Sequence, residues 1–169
     1  MSQDLTALDL LTLASALGSG LVAGFFLAFS ICVMWALGKI AAPQGIAAMQ
    51  SINMVVINPW FMAVFFGTAV LCLVTVVAAL TQWHDARAVY WLIGGGLYLI
   101  GTMLVTMIFN VPRNNALATL VPTSAEAAAY WLKFLSTWTM WNHVRTVAAL
   151  LAAALFTWAF RITAAEALG

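Results

Sequence analysis

Amide, guanidinium and indole side chains concentrate in two short segments of an otherwise very apolar chain. The first segment holds Asn110, Arg113 and Asn114, and the second holds Trp141, Asn142, His143 and Arg145. At about 100° per helical residue, Trp138, Asn142 and Arg145 fall on one helix face. An aromatic wall, an amide and a cation are therefore aligned. Polar side chains inside apolar, membrane-type segments are costly, so their presence indicates a functional site.

Amides from an earlier part of the chain extend this predicted pocket. Gln50 and Asn53 lie in the loop after the first apolar stretch, at the same end of the protein as the two segments above. Two simpler explanations stay open. Arg145 can extend its stem towards lipid headgroups, and the asparagines of the first segment can repair the backbone hydrogen bond that Pro112 removes.

The residues do not predict a metal, haem or flavin site. His143 and His84 lie at opposite ends of the predicted bundle, so they cannot readily ligate one haem. No cluster of His, Cys, Asp or Glu has metal-ligand spacing. Cys32 and Cys72 are not part of a CxxC pair, which argues against a disulfide carrier. We expect both cysteines to be buried free thiols and the protein to need no cofactor.

Composition places these residues in a membrane protein. The chain has 169 residues, of which 65% are hydrophobic and only 7% charged, with a net charge of +1. A soluble domain carries about 25% charged residues, and so small a net charge argues against nucleic acid as a partner. Apolar stretches at residues 10–37, 60–80, 88–109 and 142–160 reach the ~20 residues that a helix needs to cross a bilayer. The sequence predicts one all-α domain over residues 1–169, a four-transmembrane-helix bundle.

Four spans place both chain ends on one side, called side A together with residues 81–87, and the two long loops on side B. An interfacial helix is predicted at residues 46–57, after Pro43 and Gly45. Thr123 and Glu126 have capping-box spacing, which predicts a helix from about Ser124 that runs into the fourth span. Basic residues are divided too evenly between the sides to fix the orientation.

Two of the predicted spans contain several glycines, which make the helix narrower at those positions. Gly20 and Gly24 form a GxxxG pattern in the first span, and Gly94, Gly95 and Gly96 follow one another in the third. Small residues let helices approach closely in lipid, so these faces predict close packing, including contact between copies in a homo-oligomer. The alternative is that these glycines leave space for a bound ligand.

These motifs make the sequence similar to a known family. It resembles the anthrone oxygenase-like membrane proteins, which include fungal anthrone oxidases and many bacterial members, and we identify it as a bacterial member. The resemblance rests on residues 20–30, 48–53 with Asn58 and Pro59, the N-x-P-x-N motif at 110–114 and the W-N-x-x-R motif at 141–145. One departure is Trp35, where the family pattern has a proline.

The resemblance implies a four-helix membrane fold and, as in the fungal members, oxidation of an anthrone to an anthraquinone by molecular oxygen without metal or flavin. In that chemistry Arg145 and Asn142 would hold the substrate anion, and His143 would be the only ready general base, although it can equally face the headgroups. The residues expected to bind the substrate are Asn110, Asn114, Trp138, Trp141, Gln50 and Asn53.

Members of one family need not share a substrate, so two functions stay open. The first is a cofactor-independent, monooxygenase-like oxidoreductase acting on a hydrophobic aromatic molecule of the anthrone or quinol type. The second is a non-catalytic membrane protein that binds a lipid or quinone, or an accessory subunit of a larger complex. Either would be an integral membrane protein, expected in the bacterial inner membrane.

Overall fold

The part of the chain that the structure describes, residues 5–166, is built from helices. In this computed structural model the elements are α1 (Ala7–Lys39), α2 (Ala42–Val55), α3 (Pro59–Thr81), α4 (Ala88–Ala118) and α5 (Ala125–Glu166). Helices α1, α3, α4 and α5 are each long and apolar enough to cross a membrane. The predicted four-helix membrane bundle, with a further helix in the first loop, is confirmed.

The four long helices form a ring in which each packs against two others. Helix α1 lies along α3 and α5, and α4 likewise packs against both α3 and α5. One apolar cluster, which includes Trp91, Tyr98 and Phe156, fills the bundle towards side A. A second, around Trp131 and Phe134, lies at the side B end, where α2 covers the bundle. Large apolar side chains stay exposed on the outer faces, as lipid contact requires.

Helix α5 carries the predicted extension into the fourth span as one helix of 42 residues. It starts directly after Ser124, whose hydroxyl accepts a hydrogen bond from the Ala127 backbone N–H at 3.1 Å. The extension is confirmed, but the predicted cap is wrong. Ser124 caps the helix instead of Thr123, because it is the residue immediately before the first helical turn.

The third long helix extends well beyond its predicted end. The sequence predicts that this span stops at residue 109, whereas α4 continues through Pro112 to Ala118. Proline removes one backbone donor and crowds the preceding turn. The helix contains π-helical turns at Leu97–Leu104 and Thr106–Asn110, directly before this proline. Pro112 therefore lies inside a locally widened helix and does not end it.

Helix α2 also differs from its prediction, since it begins at Ala42 and includes Pro43 and Gly45. Proline is compatible with a first helical turn, where its missing N–H needs no partner. A Cβ added at Gly45 would lie 2.8 Å from the Leu37 carbonyl oxygen and 3.0 Å from the Trp131 ring. Glycine is thus required where α2 folds back against the end of α1 and against α5.

An ion-pair cluster joins the elements at side A. Arg87, in the turn between α3 and α4, pairs with Asp9 of α1 at 2.6 Å and with Asp85 at 2.7 Å. Its guanidinium also lies 4.6 Å from the ring centre of Trp91. The hydrogen bond from Arg87 holds the pKa of Asp85 below its ordinary value. The start of α1 and the turn after α3 therefore meet at one end of the bundle, as predicted.

Close packing at glycine is confirmed for only part of the predicted set. A Cβ added at Gly95 would lie 2.8 Å from the Cys72 carbonyl oxygen, so glycine permits the approach of α4 to α3. Gly20 and Gly24 have no other atom within 4 Å of such a Cβ, and they do not bring helices of this chain together. Cys72 is buried as predicted, whereas Cys32 is exposed, because its helical position turns it to the outer face of α1.

Candidate functional site

A cavity of about 500 Å³ lies at the side B end of the bundle. All four long helices contribute to its wall, and α2 forms its roof. The largest group of lining residues is a set of phenylalanines on α1 and α3, namely Phe25, Phe26, Phe29, Phe61, Phe65 and Phe66. The volume lies within the range of roughly 300–1,000 Å³ that small-molecule sites occupy. The cavity is thus suited in size and lining to a flat aromatic molecule.

The Arg145 guanidinium is the only charged group on this wall within the described chain. The residue is 5% exposed. Its Nε donates to Oδ1 of Asn142 at 2.9 Å, and its Nη1 donates to Oγ1 of Thr106 at 3.3 Å. The ring centres of Phe26 and Trp138 lie 3.9 and 4.8 Å from the guanidinium carbon. These contacts fix the plane of the group and leave Nη2 without a hydrogen-bond partner among residues 5–162, whose side chains the structure describes.

No carboxylate balances the charge of Arg145 in the described part of the chain. The ion pairs found there join Arg87 to Asp9 and Asp85, at the opposite end of the bundle. Burying an unpaired charge is costly, and contacts with an amide, a hydroxyl and two rings offset only part of that cost. An anionic ligand oxygen would supply both the missing charge and a charge-assisted hydrogen bond.

Asn142 holds Arg145 in position from behind the cavity wall. It is fully buried, and its Nδ2 donates to the Phe26 carbonyl oxygen at 2.7 Å and to Oγ of Ser30 at 2.6 Å. Those two acceptors orient the amide so that its Oδ1 faces the guanidinium. Ser30 belongs to a π-helical turn of α1, Phe29–Val33, and such turns are frequent at functional sites. Asn142 therefore links α1 to the cation.

Trp138 is tied to α4 by two hydrogen bonds. Its indole Nε1 donates to Oδ1 of Asn114 at 2.7 Å, and its carbonyl oxygen accepts from Nδ2 of Asn110 at 3.2 Å. Both asparagine contacts thus reach α5, which disfavours the explanation that they repair the break at Pro112. The Arg113 guanidinium donates instead to a carbonyl of the preceding turn, at 2.6 Å. Asn114 and Trp138 line the cavity, whereas Asn110 lies behind them.

Two amides of α2 belong to the roof of the cavity. Gln50 donates from Nε2 to the carbonyl oxygens of Leu117 at 2.8 Å and Leu120 at 3.0 Å, and these bonds attach α2 to the end of α4. Asn53 also lines the cavity, and its buried Nδ2 has no hydrogen-bond partner among the residues described. Asn53 is therefore a roof amide whose buried donor is unsatisfied.

Besides Asn110 and Asn142, two more predicted site residues lie outside the cavity lining. Trp141 stacks on Phe109 with the ring centres 3.6 Å apart. His143 is exposed, on a face of α5 that points about 160° away from Arg145 at 100° per residue. The geometry places neither Trp141 against a ligand in this cavity nor His143 within reach of one.

Sequence reasoning missed several residues of the site. Thr106 and Asn115 line the cavity, and Ser30 anchors Asn142. Thr106 precedes Asn110 by one helical turn, so helical spacing could have found it. The phenylalanine wall carries no comparable signal, since phenylalanine is ordinary in any membrane span. Only the packing of the helices separates the cavity-lining rings from the others.

The lining is equipped for binding more than for proton transfer. None of the cavity-lining residues found in the described chain is Asp, Glu, His, Cys, Lys or Tyr. The side chains described, those of residues 5–162, also include no group of three or more His, Cys, Asp or Glu placed to hold a metal ion. What the site does offer is one cation, several amides and many aromatic rings.

Comparison with known proteins adds one finding. A family model described as anthrone oxygenase matches residues 60–155, more than half of the chain. The matched range contains α3, α4 and most of α5, including Asn110, Asn114, Asn142 and Arg145, whereas α1 and α2 lie before it. Neither a curated protein nor a solved structure matches the chain.

Proposed function

The chain belongs to the anthrone oxygenase family, and from this premise we propose that it is a membrane enzyme that oxidises an anthrone- or quinol-type aromatic molecule with molecular oxygen. The observation that carries the proposal is the unpaired Arg145 guanidinium at the wall of an aromatic cavity. A substrate that becomes an aromatic oxyanion during the reaction matches both features.

The chemistry requires stabilisation of an anion. Loss of a proton from the carbon opposite the carbonyl converts an anthrone into an enolate, whose oxygen would accept a hydrogen bond from Nη2 of Arg145. The electron-rich carbon forms a C–O bond with O₂, the resulting peroxide takes up a proton, and loss of water leaves the second carbonyl. One anthrone and one O₂ give one anthraquinone and one water. The residues supply a preorganised electrostatic site for this anion.

Proton removal is assigned to water. The lining residues include no base, and His143 lies on the outer face of α5. Asn53 and Asn115 at the side B end of the cavity can hold such a water by hydrogen bonds. We propose that the enzyme needs no metal, haem or flavin, because the enolate itself reduces oxygen.

The proposed location is the bacterial inner membrane, supported by the resemblance to bacterial members and by four helices that can span a bilayer. A homo-oligomer is proposed through the α1 face that carries Gly20 and Gly24. Its support is that these glycines have open space beside them in the single chain, where a second helix could approach.

The test is oxygen uptake by purified protein in liposomes supplied with an anthrone. Anthraquinone formation is followed in parallel, and hydrogen peroxide is measured because quinol oxidation would release peroxide whereas anthrone oxygenation releases water. Protein-free liposomes give the spontaneous rate, and Arg145→Gln is the matched variant. We expect the wild type to exceed Arg145→Gln by about 10²–10³-fold in kcat. A wild-type rate equal to that of folded Arg145→Gln would refute the proposal.

One observation favours a second candidate, a non-catalytic protein that binds a quinone or another aromatic acid. The cavity has donors and rings but no base among its lining residues. Under this candidate the wild type binds an oxidised quinone through Arg145, yet anthrone oxidation proceeds at the protein-free rate.

A further inference from the structure

The cavity has a lateral opening between α3 and α4. The two helices pack closely along Ala88–Gly96 and Leu97–Leu104, but they make few close contacts along Thr106–Asn110. Phe66 on α3 and Met107 on α4 both line the cavity, and yet they are 45% and 54% exposed. Residues that line the cavity and also have this much exposed surface are expected where its wall opens to the outside. The two helices therefore flank a slot.

The slot is apolar and lies partly at membrane depth. Its other exposed members are Val111 on α4 and, at the end of α2, Met54 and Ile57. It runs from Met107 to Asn115, about 12 Å along α4 at 1.5 Å per residue. Met107 lies inside a segment that is long and apolar enough to span the bilayer, so this part of the slot faces lipid. Arg145 and its hydrogen-bond partner Thr106 belong to the wall of the same cavity.

We propose that this cavity takes a lipid-soluble aromatic acid that enters sideways from the bilayer through the slot. Its acidic oxygen binds Arg145, and a long apolar substituent projects between α3 and α4 into the lipid. The inference rests on the anion site of the proposed function but does not require oxidation.

Charge complementarity determines the orientation of the bound ligand in the cavity. Arg145 is the only charged residue found in the lining, so the acidic group has one favourable position on the cavity wall. The apolar substituent of the ligand pays no transfer free energy when it moves from lipid into the slot, because lipid and the slot residues are equally apolar. A ligand closed in on all sides would instead have to fit entirely within about 500 Å³.

The experiment compares two hydroxynaphthoquinones, lawsone and its hexadecyl derivative, which are already oxidised and therefore test binding alone. Binding is measured in proteoliposomes, with protein-free liposomes subtracted, and affinity is expressed per mole fraction of ligand in the bilayer. We expect the two ligands to bind the wild type with similar affinity. Failure of hexadecyl lawsone to bind, while lawsone binds, would overturn the slot.

Variants separate the slot from the anion site. Met107→Trp should fill the slot and weaken hexadecyl lawsone about tenfold, the scale of overpacking effects, while lawsone is unchanged. Ile108→Trp is the matched control, since Ile108 is 50% exposed and is not a lining residue. If Met107→Trp misfolds, Phe66→Trp fills the slot from the opposite helix. Equal weakening of both ligands by these variants, or the same effect from Ile108→Trp, would refute the proposal.

Failure of this inference and failure of the proposed function give different results. If anthrone is not oxidised but hexadecyl lawsone still depends on Met107 and Arg145, the slot and the anion site stand and catalysis is wrong. If anthrone is oxidised but hexadecyl lawsone does not bind, the site is catalytic and closed to chain-bearing ligands.

Discussion

Replacing Arg145 by lysine tests whether the shape of this cation matters as well as its charge. The guanidinium makes directional bonds to Asn142 and Thr106 through two nitrogens and keeps Nη2 for a ligand. Its carbon also lies over the rings of Phe26 and Trp138. An ammonium group has neither the planar fork nor the ring contact, so Arg145→Lys keeps the charge and loses the alignment.

The expected effect follows from these contacts. Loss of one aligned donor to a developing oxyanion costs about 2.7–4 kcal/mol of transition-state stabilisation, or about 10²–10³-fold in kcat. The two internal hydrogen bonds come from a charged group and are worth about 1.5–3 kcal/mol each to the free energy of unfolding, part of which a lysine ammonium can recover. We therefore expect Arg145→Lys to remain folded and to lose most of its activity.

The assay is initial oxygen uptake with an anthrone, normalised to folded protein, together with thermal unfolding in detergent. Arg113→Lys is the control, because Arg113 bonds Thr137 and a backbone carbonyl and does not line the cavity. A small change is expected for that variant. If the two lysine variants behave alike, the shape of the Arg145 cation does not matter for activity and the reasoning fails.

Four further predictions follow from the same structure. Asn142→Ala should reduce activity more than His143→Phe, because Asn142 orients the Arg145 guanidinium while His143 is exposed. The measurement is the oxygen-uptake rate per amount of folded protein. A larger loss of activity in His143→Phe would indicate that His143 is the general base. In a cysteine-free background, cysteines replacing the exposed Trp83 and Val121 should be labelled from opposite sides of sealed vesicles, and labelling from one side would contradict the topology. The Asp85 carboxylate has a lowered pKa. Its contribution to the free energy of unfolding is therefore complete above the ordinary pKa of about 3.9 and is lost as the pH falls through the lowered pKa. Melting curves in detergent should thus depend less on acid pH for Asp85→Asn than for the wild type. Purified active protein should contain no stoichiometric metal, haem or flavin and should keep its activity in the presence of a chelator. Elemental analysis and absorption spectra check this, and a stoichiometric metal or a haem or flavin absorption band would contradict it.

The four spans follow from the sequence because each is set by local properties. A run of apolar residues must be helical in lipid to satisfy its own backbone hydrogen bonds, and length alone then shows which runs can cross. The gathering of amides and guanidinium at side B follows in the same way from the order of the spans. The alignment of Asn142 with Arg145 is also local, since residues three apart meet on one helix face.

Helix ends were less predictable than helix positions. Pro112 suggests a stop, yet α4 continues to Ala118, because neighbouring helices and side chains accept the local distortion. The same limit applies to the cap of α5, where Ser124 replaces Thr123. Adjacent residues offer similar hydroxyls, and a sequence pattern cannot decide between them by one position.

Only the tertiary structure separates the residues that line the cavity from those that support it. Asn142 and Asn110 lie behind the wall, Asn53 and Asn114 lie on it, and His143 is turned away. Helical periodicity gives the angle between side chains of one helix but not the rotation of that helix against its neighbours. That rotation depends on contacts between distant segments, such as the bond from Asn142 in α5 to Ser30 in α1.

The cavity, its phenylalanine wall and its lateral slot are likewise products of packing. Each depends on the distance between helices, and that distance is set by which side chains and glycines meet. At Gly95 the absence of a Cβ brings α4 against α3, whereas beyond Leu104 the same two helices make few close contacts. The unpaired state of Arg145 is a tertiary property for the same reason. Which groups lie nearest to a charge depends on which helices pack around it. The helices around Arg145 offer amides, hydroxyls and aromatic rings.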